Sequence, residues 1–145
     1  MPTDIPRLQV ALMSEDSSER EDAVDALGES GRPEAVELLS LALKDEDEDV
    51  REAAVDVLEE IGGDEAAQAL AIALEDEDSS VREEAVEALG EIGGETAMGL
   101  LKQALSDEDK SVRDTAAEML AKLTAPKGRE QPLSPKVEKV RNTRK

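Results

Sequence analysis

Four aspartates each stand four residues before an arginine: Asp16/Arg20, Asp47/Arg51, Asp78/Arg82 and Asp109/Arg113. The pairs recur every 31 residues. A carboxylate and a guanidinium can join through two parallel charge-assisted hydrogen bonds, a geometry that only arginine's planar fork supplies. A row of arginines could also serve as an anion-binding strip. The fixed step favours a structural ladder, in which an arginine at the inner turn reaches the aspartate of the neighbouring repeat. The run Asp45-Glu46-Asp47-Glu48-Asp49 begins like a calcium loop, but its sixth place is Val50 rather than glycine, and its twelfth, Asp56, falls inside a helical pattern. Helix capping and solvation account for these acids better.

Other chemistry is excluded by composition. The 145 residues include no cysteine, histidine, phenylalanine, tyrosine or tryptophan. Thiol nucleophiles, the usual zinc ligands and an imidazole base are therefore missing. Paired carboxylates are so numerous that no single pair singles itself out as an acid–base couple. No catalytic, cofactor-binding or metal-binding residue is assigned, and the expectation is a protein that is not an enzyme and carries no cofactor. Nothing near Met1–Met13 reads as a signal peptide, and no apolar run approaches the ~20 residues that span a bilayer. A cytoplasmic monomer is the expectation.

The charge of −20 is unevenly spread. Residues 1–124 carry 35 acidic against 10 basic side chains; residues 125–145 carry seven basic against two acidic. An acidic body disfavours nucleic acid and anionic membranes and favours basic partners.

The elements that position these groups follow from the same period. Between residues 49–75 and 80–106, fourteen of twenty-seven positions are identical, which is the signature of stacked repeats. Val50, Ala54, Val55, Leu58 and Ile61 form one apolar stripe at helical spacing. Gly62-Gly63 ends that helix, and a second helix follows with Ala66, Ala67, Leu70, Ala73 and Leu74 inward. An acidic turn then leads to Asp78, placed to cap the next helix. The frame predicts eight helices, at 4–13, 17–29, 33–44, 48–61, 64–75, 79–92, 95–106 and 110–123. The stripe of the last one (Ala116, Ala117, Leu120, Leu123) is expected to be partly uncovered. Residues 1–124 form the repeat domain. Pro126, Gly128, Pro132 and Pro135 break the pattern, so 125–145 reads as a disordered basic tail. Ser134-Pro135-Lys136 has the form of a phosphorylation site, a pattern common in such tails.

The motif Leu43-x-Asp45-x-Asp47-x-x-Val50-Arg51-x-x-Ala54-x-x-x-Leu58-x-x-Ile61-Gly62 resembles the short HEAT repeat of the phycobilisome-lyase class of HEAT-like proteins, over residues 2–124. The resemblance implies an all-α, right-handed solenoid of four stacked helix pairs, with the second helices of each unit lining its concave face. It also implies a bilin-lyase-like role, against which stand the short chain and the absence of any aromatic or histidine side chain to hold a tetrapyrrole.

On that face Val10, Leu38, Leu41, Ala69, Ile72, Leu100 and Gln103 are candidates to bind a partner, with Glu34, Glu37, Glu65 and Gln68 around them. An apolar strip rimmed by acids suits a basic or amphipathic segment. The expected function is a non-catalytic protein–protein interaction module: an adaptor, assembly factor or regulatory subunit. The alternative is an accessory chaperone or lyase-like maturation factor for a cofactor-bearing protein. Lys136, Lys139, Arg141, Arg144 and Lys145 of the tail are candidates for regulating access to the body or for contacting an anionic partner.

Overall fold

The computed structural model describes residues 4–125. Among them are eight α-helices and no strand: α1 (Ile5–Ala11), α2 (Ser17–Ser30), α3 (Glu34–Ala42), α4 (Glu48–Ile61), α5 (Gly63–Ala73), α6 (Ser79–Ile92), α7 (Gly94–Ala104) and α8 (Lys110–Thr124). Every predicted helix is present. The tail, and the roles expected of Ser134 and of its five basic residues, lie outside the described residues.

Local chemistry sets the boundaries. Asp16, Asp47 and Asp109 are extended N-caps whose carboxylates accept hydrogen bonds from the backbone N–H two residues on, at 2.8 Å in each case. The turns α4–α5 and α6–α7 are two-glycine links in which all four glycines have positive φ, from 69° to 93°. A side chain there would be strained by the backbone alone, which is why the helices can reverse within two residues.

The helices pack as a two-row α-solenoid. The odd-numbered helices form one row and the even-numbered the other, each helix touching its chain neighbours and the next member of its own row. Val24, Leu27, Leu39, Val55, Leu58, Leu70, Val86, Leu89 and Leu101 fill the seam between rows and are sealed from solvent. Ile61 lies at the end of its stripe and is exposed.

Neighbours in the even row sit closer together than neighbours in the odd row. A Cβ at Gly28 in α2 would fall 2.6 Å from Val57 Cγ1 in α4, a spacing only glycine tolerates. A stack bends toward its tighter row, so the inner face is built by α2, α4, α6 and α8. This revises the expectation that the second helices of each unit, the odd row, line the concave side.

The two ends differ. In α1, Asp4 and Arg7 hold the repeat positions of the buried Ala35 and Leu38; both are exposed and form an ion pair at 3.8 Å. In α8, Ala116 is buried, Ala117 is exposed, and Leu120 and Leu123 are half-buried. The corresponding residues of α6 at two of these places, Val86 and Leu89, are completely buried.

Candidate protein-interaction faces

The arginine ladder exists, with different acids from those expected. Arg20 donates from Nε and Nη2 to both oxygens of Asp45, at 2.8 and 3.0 Å. Arg82 holds Asp107 in the same fork, at 2.9 and 3.1 Å. Arg51 divides its fork between Asp76 and Asp78, at 2.8 and 2.7 Å. The third nitrogen, Nη1, donates to a backbone carbonyl of the preceding acidic turn, Ser14, Asp45 or Asp76. Each guanidinium thus ties two successive turns together.

Asp45, Asp76 and Asp107, spaced like the other markers, are the main acceptors. A second task occupies each of them: one oxygen takes the backbone N–H of Asp47, Asp78 or Asp109. Asp16, Asp47 and Asp109 are caps instead. Asp78 is the exception, because its carboxylate turns to Arg51 and makes no capping bond. A bond to a guanidinium is stronger than one to a neutral amide, so the pairing prevails. Ser14 takes the place of the first acceptor, where no earlier arginine exists to bind.

The ladder arginines are raised further in pKa: Arg20 and Arg82 chiefly by the hydrogen bonds from Asp45 and Asp107, Arg51 by Asp76 against the opposing effect of burial. Burial works against ionised Asp107, yet Arg82 and the Asp109 N–H hold it below the ordinary carboxylate range. With their partners engaged, these residues form a structural clamp. The acids of 45–49 are spent on this ladder and on caps. Among the described residues there is no cluster of three or more His, Cys, Asp or Glu arranged to hold a metal.

The odd-row face is a weaker strip than expected. Leu38 and Ala69 are buried in the core. Ile72 and Leu100 are half-buried and pack against it. Val10 and Leu41 project, 72% and 62% exposed, but Gln103 continues the row with an amide. Glu34, Glu37, Glu65 and Gln68 are exposed around them. Shallow grooves run between α3 and α5 and between α5 and α7, the first lined by Val36, Glu37, Glu65, Gln68 and Ile72, the second by Gln68, Leu100 and Gln103.

The even-row face carries a feature the sequence reading passed over. Its acids stand in three rows at the repeat step: Glu21, Glu52 and Glu83; Asp25, Asp56, Glu87 and Glu118; Glu29, Glu60 and Glu91. Between α2 and α4 they line a groove whose walls are Glu21, Asp25, Gly28, Glu29, Asp49, Glu52, Ala53, Asp56, Val57 and Glu60, with no basic side chain. Desolvation raises the pKa of Glu21, Asp56, Glu59 and Glu84, and neighbouring carboxylates add to it. Glu52 rises to about 7, first through burial, then through Glu84 and a hydrogen bond with Glu48. Oε1 of Glu84 is buried and has no hydrogen-bond partner among the described residues. Toward α8 the bank becomes neutralised: Glu83 accepts from Ser111 and Thr115, and Lys122 reaches Glu91 at 2.7 Å. The signal was present as a row of like charges at period 31, hidden because each acid alone looks like ordinary helix surface.

A model of HEAT repeats matches residues 5–82 and 67–131. Among solved structures, human deoxyhypusine hydroxylase in complex with glycerol is 31% identical, with a TM-score of 0.72 over 83% of this chain and 44% of the hydroxylase. The complex of CpcE and CpcF of phycocyanin lyase from Nostoc is 29% identical, TM-score 0.58, covering 90% of this chain and 54% of that one. The Pds5–Scc1 complex shares the fold at 19% identity and TM-score 0.66, over 82% of this chain and 22% of that one. The chain thus spans well under two thirds of the length of each. No curated protein sequence matches it. Among the described residues, no helix is long and apolar enough to cross a membrane.

Proposed function

Because the chain belongs to the HEAT-repeat family, we propose that it is a non-catalytic protein-binding module that holds a basic segment of another protein along the carboxylates of α2, α4 and α6. One observation carries this reading: the groove between α2 and α4 is walled by seven acids and no cation. Like charges held this close repel, and part of that cost is visible in the raised carboxyl pKa values. Lysine or arginine side chains laid in the groove would remove the repulsion on binding, giving both affinity and fast, salt-sensitive association. The altered carboxyls are spread along three helices instead of converging on one cleft, which suits a bank that binds better than a site that reacts.

The odd-row strip is the competing docking face, favoured by the exposure of Val10 and Leu41. The test is to replace Glu52 and Asp56 by Gln and Asn, and separately Leu41 and Ile72 by Ser, and to compare partner binding. Loss with the first pair alone supports the carboxylate bank. Loss with the second alone moves the site to the odd row.

A second reading is an accessory maturation factor for a cofactor-bearing protein. Likeness to the CpcE–CpcF lyase complex favours it. Isolation of the partner followed by its absorption spectrum separates the two readings, since only the second requires a cofactor on the partner.

A further inference from the structure

The C-terminal end of the stack is an unfinished copy of the interior, and the chain carries the means to finish it. Each ladder arginine is held by an acid 25 residues downstream: Arg20 by Asp45, Arg51 by Asp76 and Arg82 by Asp107. Arg113 is prepared in the same way, its Nη1 donating to the carbonyls of Asp107 and Glu108 at 2.8 and 3.1 Å. Among the described residues no carboxylate meets the other edge of its fork. Twenty-five residues downstream of Arg113 the sequence has Glu138.

The apolar surface at this end tells the same story. Leu105 is 41% exposed, whereas Leu43 at the same repeat position is buried. Ala117, Leu120 and Leu123 lack the cover that a following helix gives Val86 and Leu89. At the other end the polar pair Asp4–Arg7 makes such cover unnecessary.

A further helix of the usual kind cannot supply the cover, because Pro132 and Pro135 would fall inside it. The segment is nonetheless complementary. Leu133 and Val137 are apolar, and Lys136 and Lys139 flank Glu138, matching the acidic turn Asp107-Glu108-Asp109 beside Arg113. The thirteen residues from 126 to 138 can span up to about 40 Å when extended, ample to return along the ~17 Å of helix between Thr124 and Arg113.

We propose that residues 126–138 fold back across α8 and set the Glu138 carboxylate on the open edge of Arg113, capping the end of the solenoid. The cap is independent of the carboxylate bank and stands whether or not that bank binds a partner.

Hydrogen exchange of the full chain, of a form ending at Ala125, and of the Glu138→Gln, Arg113→Glu and Arg113→Glu/Glu138→Arg variants tests it. Removing the segment should raise exchange of the α8 amides at least tenfold while leaving α2–α5 unchanged. Glu138→Gln and Arg113→Glu should each reproduce part of that effect, and the double charge exchange should recover protection over either Arg113→Glu or Glu138→Arg alone. Equal α8 exchange with and without residues 126–145 overturns the proposal. So does protection that tracks protein concentration, which would make a second copy the cover, or cross-links from Lys136 and Lys139 that fall on α2 and α4 instead of the 107–109 turn.

Discussion

Gly90 in α6 leaves the space that Met119 of α8 fills. A Cβ at position 90 would overlap the Met119 sulfur and come within 2.7 Å of its Cγ and 2.9 Å of its Cβ. The same two repeat positions hold Gly28 against Val57, and Glu59 with Ala88. A small residue stands where its counterpart is large, and a larger one where it is alanine. The even row therefore keeps its tight spacing by compensating pairs rather than by repeating one residue.

Gly90→Ala should destabilise the fold although alanine is the better helix former. The methionine tip can swing aside, but its Cβ cannot, so α6 and α8 must separate. The overlap should outweigh the propensity gain and leave a net loss of about 1 kcal/mol. Adding Met119→Ala should return part of that loss, a coupling that urea unfolding of the four species measures directly.

Arg82→Ala should be among the most damaging single changes. It leaves Asp107 half-buried without its guanidinium and frees the carbonyl of Asp76. Removing one partner of such a pair costs about 3 kcal/mol. Arg82→Lys should recover little, because an ammonium cannot reproduce the planar fork. A thermal melt within 2 °C of the parent for Arg82→Ala would contradict the clamp, since a loss of that size moves the transition of a domain this long by roughly 10 °C.

Stability should fall as pH rises from about 4.5 to about 7. Glu52 has its folded pKa raised to about 7, so the folded state gains from its protonation below the ordinary glutamate value and loses that gain as the group ionises. Glu21, Asp56, Glu59 and Glu84 are raised as well and act in the same sense. Asp107 is lowered and acts oppositely, its contribution being lost only as pH falls below the carboxylate range. Glu52→Gln should therefore raise the melting temperature at pH 8 by roughly 3 °C and flatten the profile between pH 5 and 7. A melting temperature that climbs steadily with pH over that interval would contradict the assignment.

The architecture could be read from the chain because its signals are local and repeated. Asp47, Gly62 and the Val50–Leu58 stripe each act within one or two turns of helix, so spacing alone reveals them. The ladder could be read only by halves: Arg51 was recognisable as a clamp, but its acceptors lie 25 and 27 residues away, and two aspartates in each acidic turn competed for the role. Orbital details such as which oxygen meets which nitrogen depend on how one turn stacks on the next. The inner and outer faces were not legible for the same reason. Which row is tighter is decided between helices, by pairs such as Gly28 and Val57, and no single segment records it. Leu38 and Ala69 illustrate the consequence, since residues that looked free of the stripe on one helix are covered by the neighbouring helix.

The carboxylate bank was legible in principle. Glu21, Glu52 and Glu83 share the 31-residue step with the aspartates of the ladder. What the sequence lacks is the field they make together, which appears only when the helices bring α2, α4 and α6 side by side.

The central claim is that this face holds a basic segment, and the most direct measurement is affinity for peptides selected from a random library against the full chain. Titration of the best peptide into the parent, the Glu52→Gln/Asp56→Asn variant and the Leu41→Ser/Ile72→Ser variant is decisive. The account predicts selection of peptides rich in Lys and Arg, affinity that falls steeply with salt, a loss of at least tenfold in the first variant, and a change under twofold in the second. Neutral or acidic peptides, or binding that survives the first variant and is lost in the second, would contradict it.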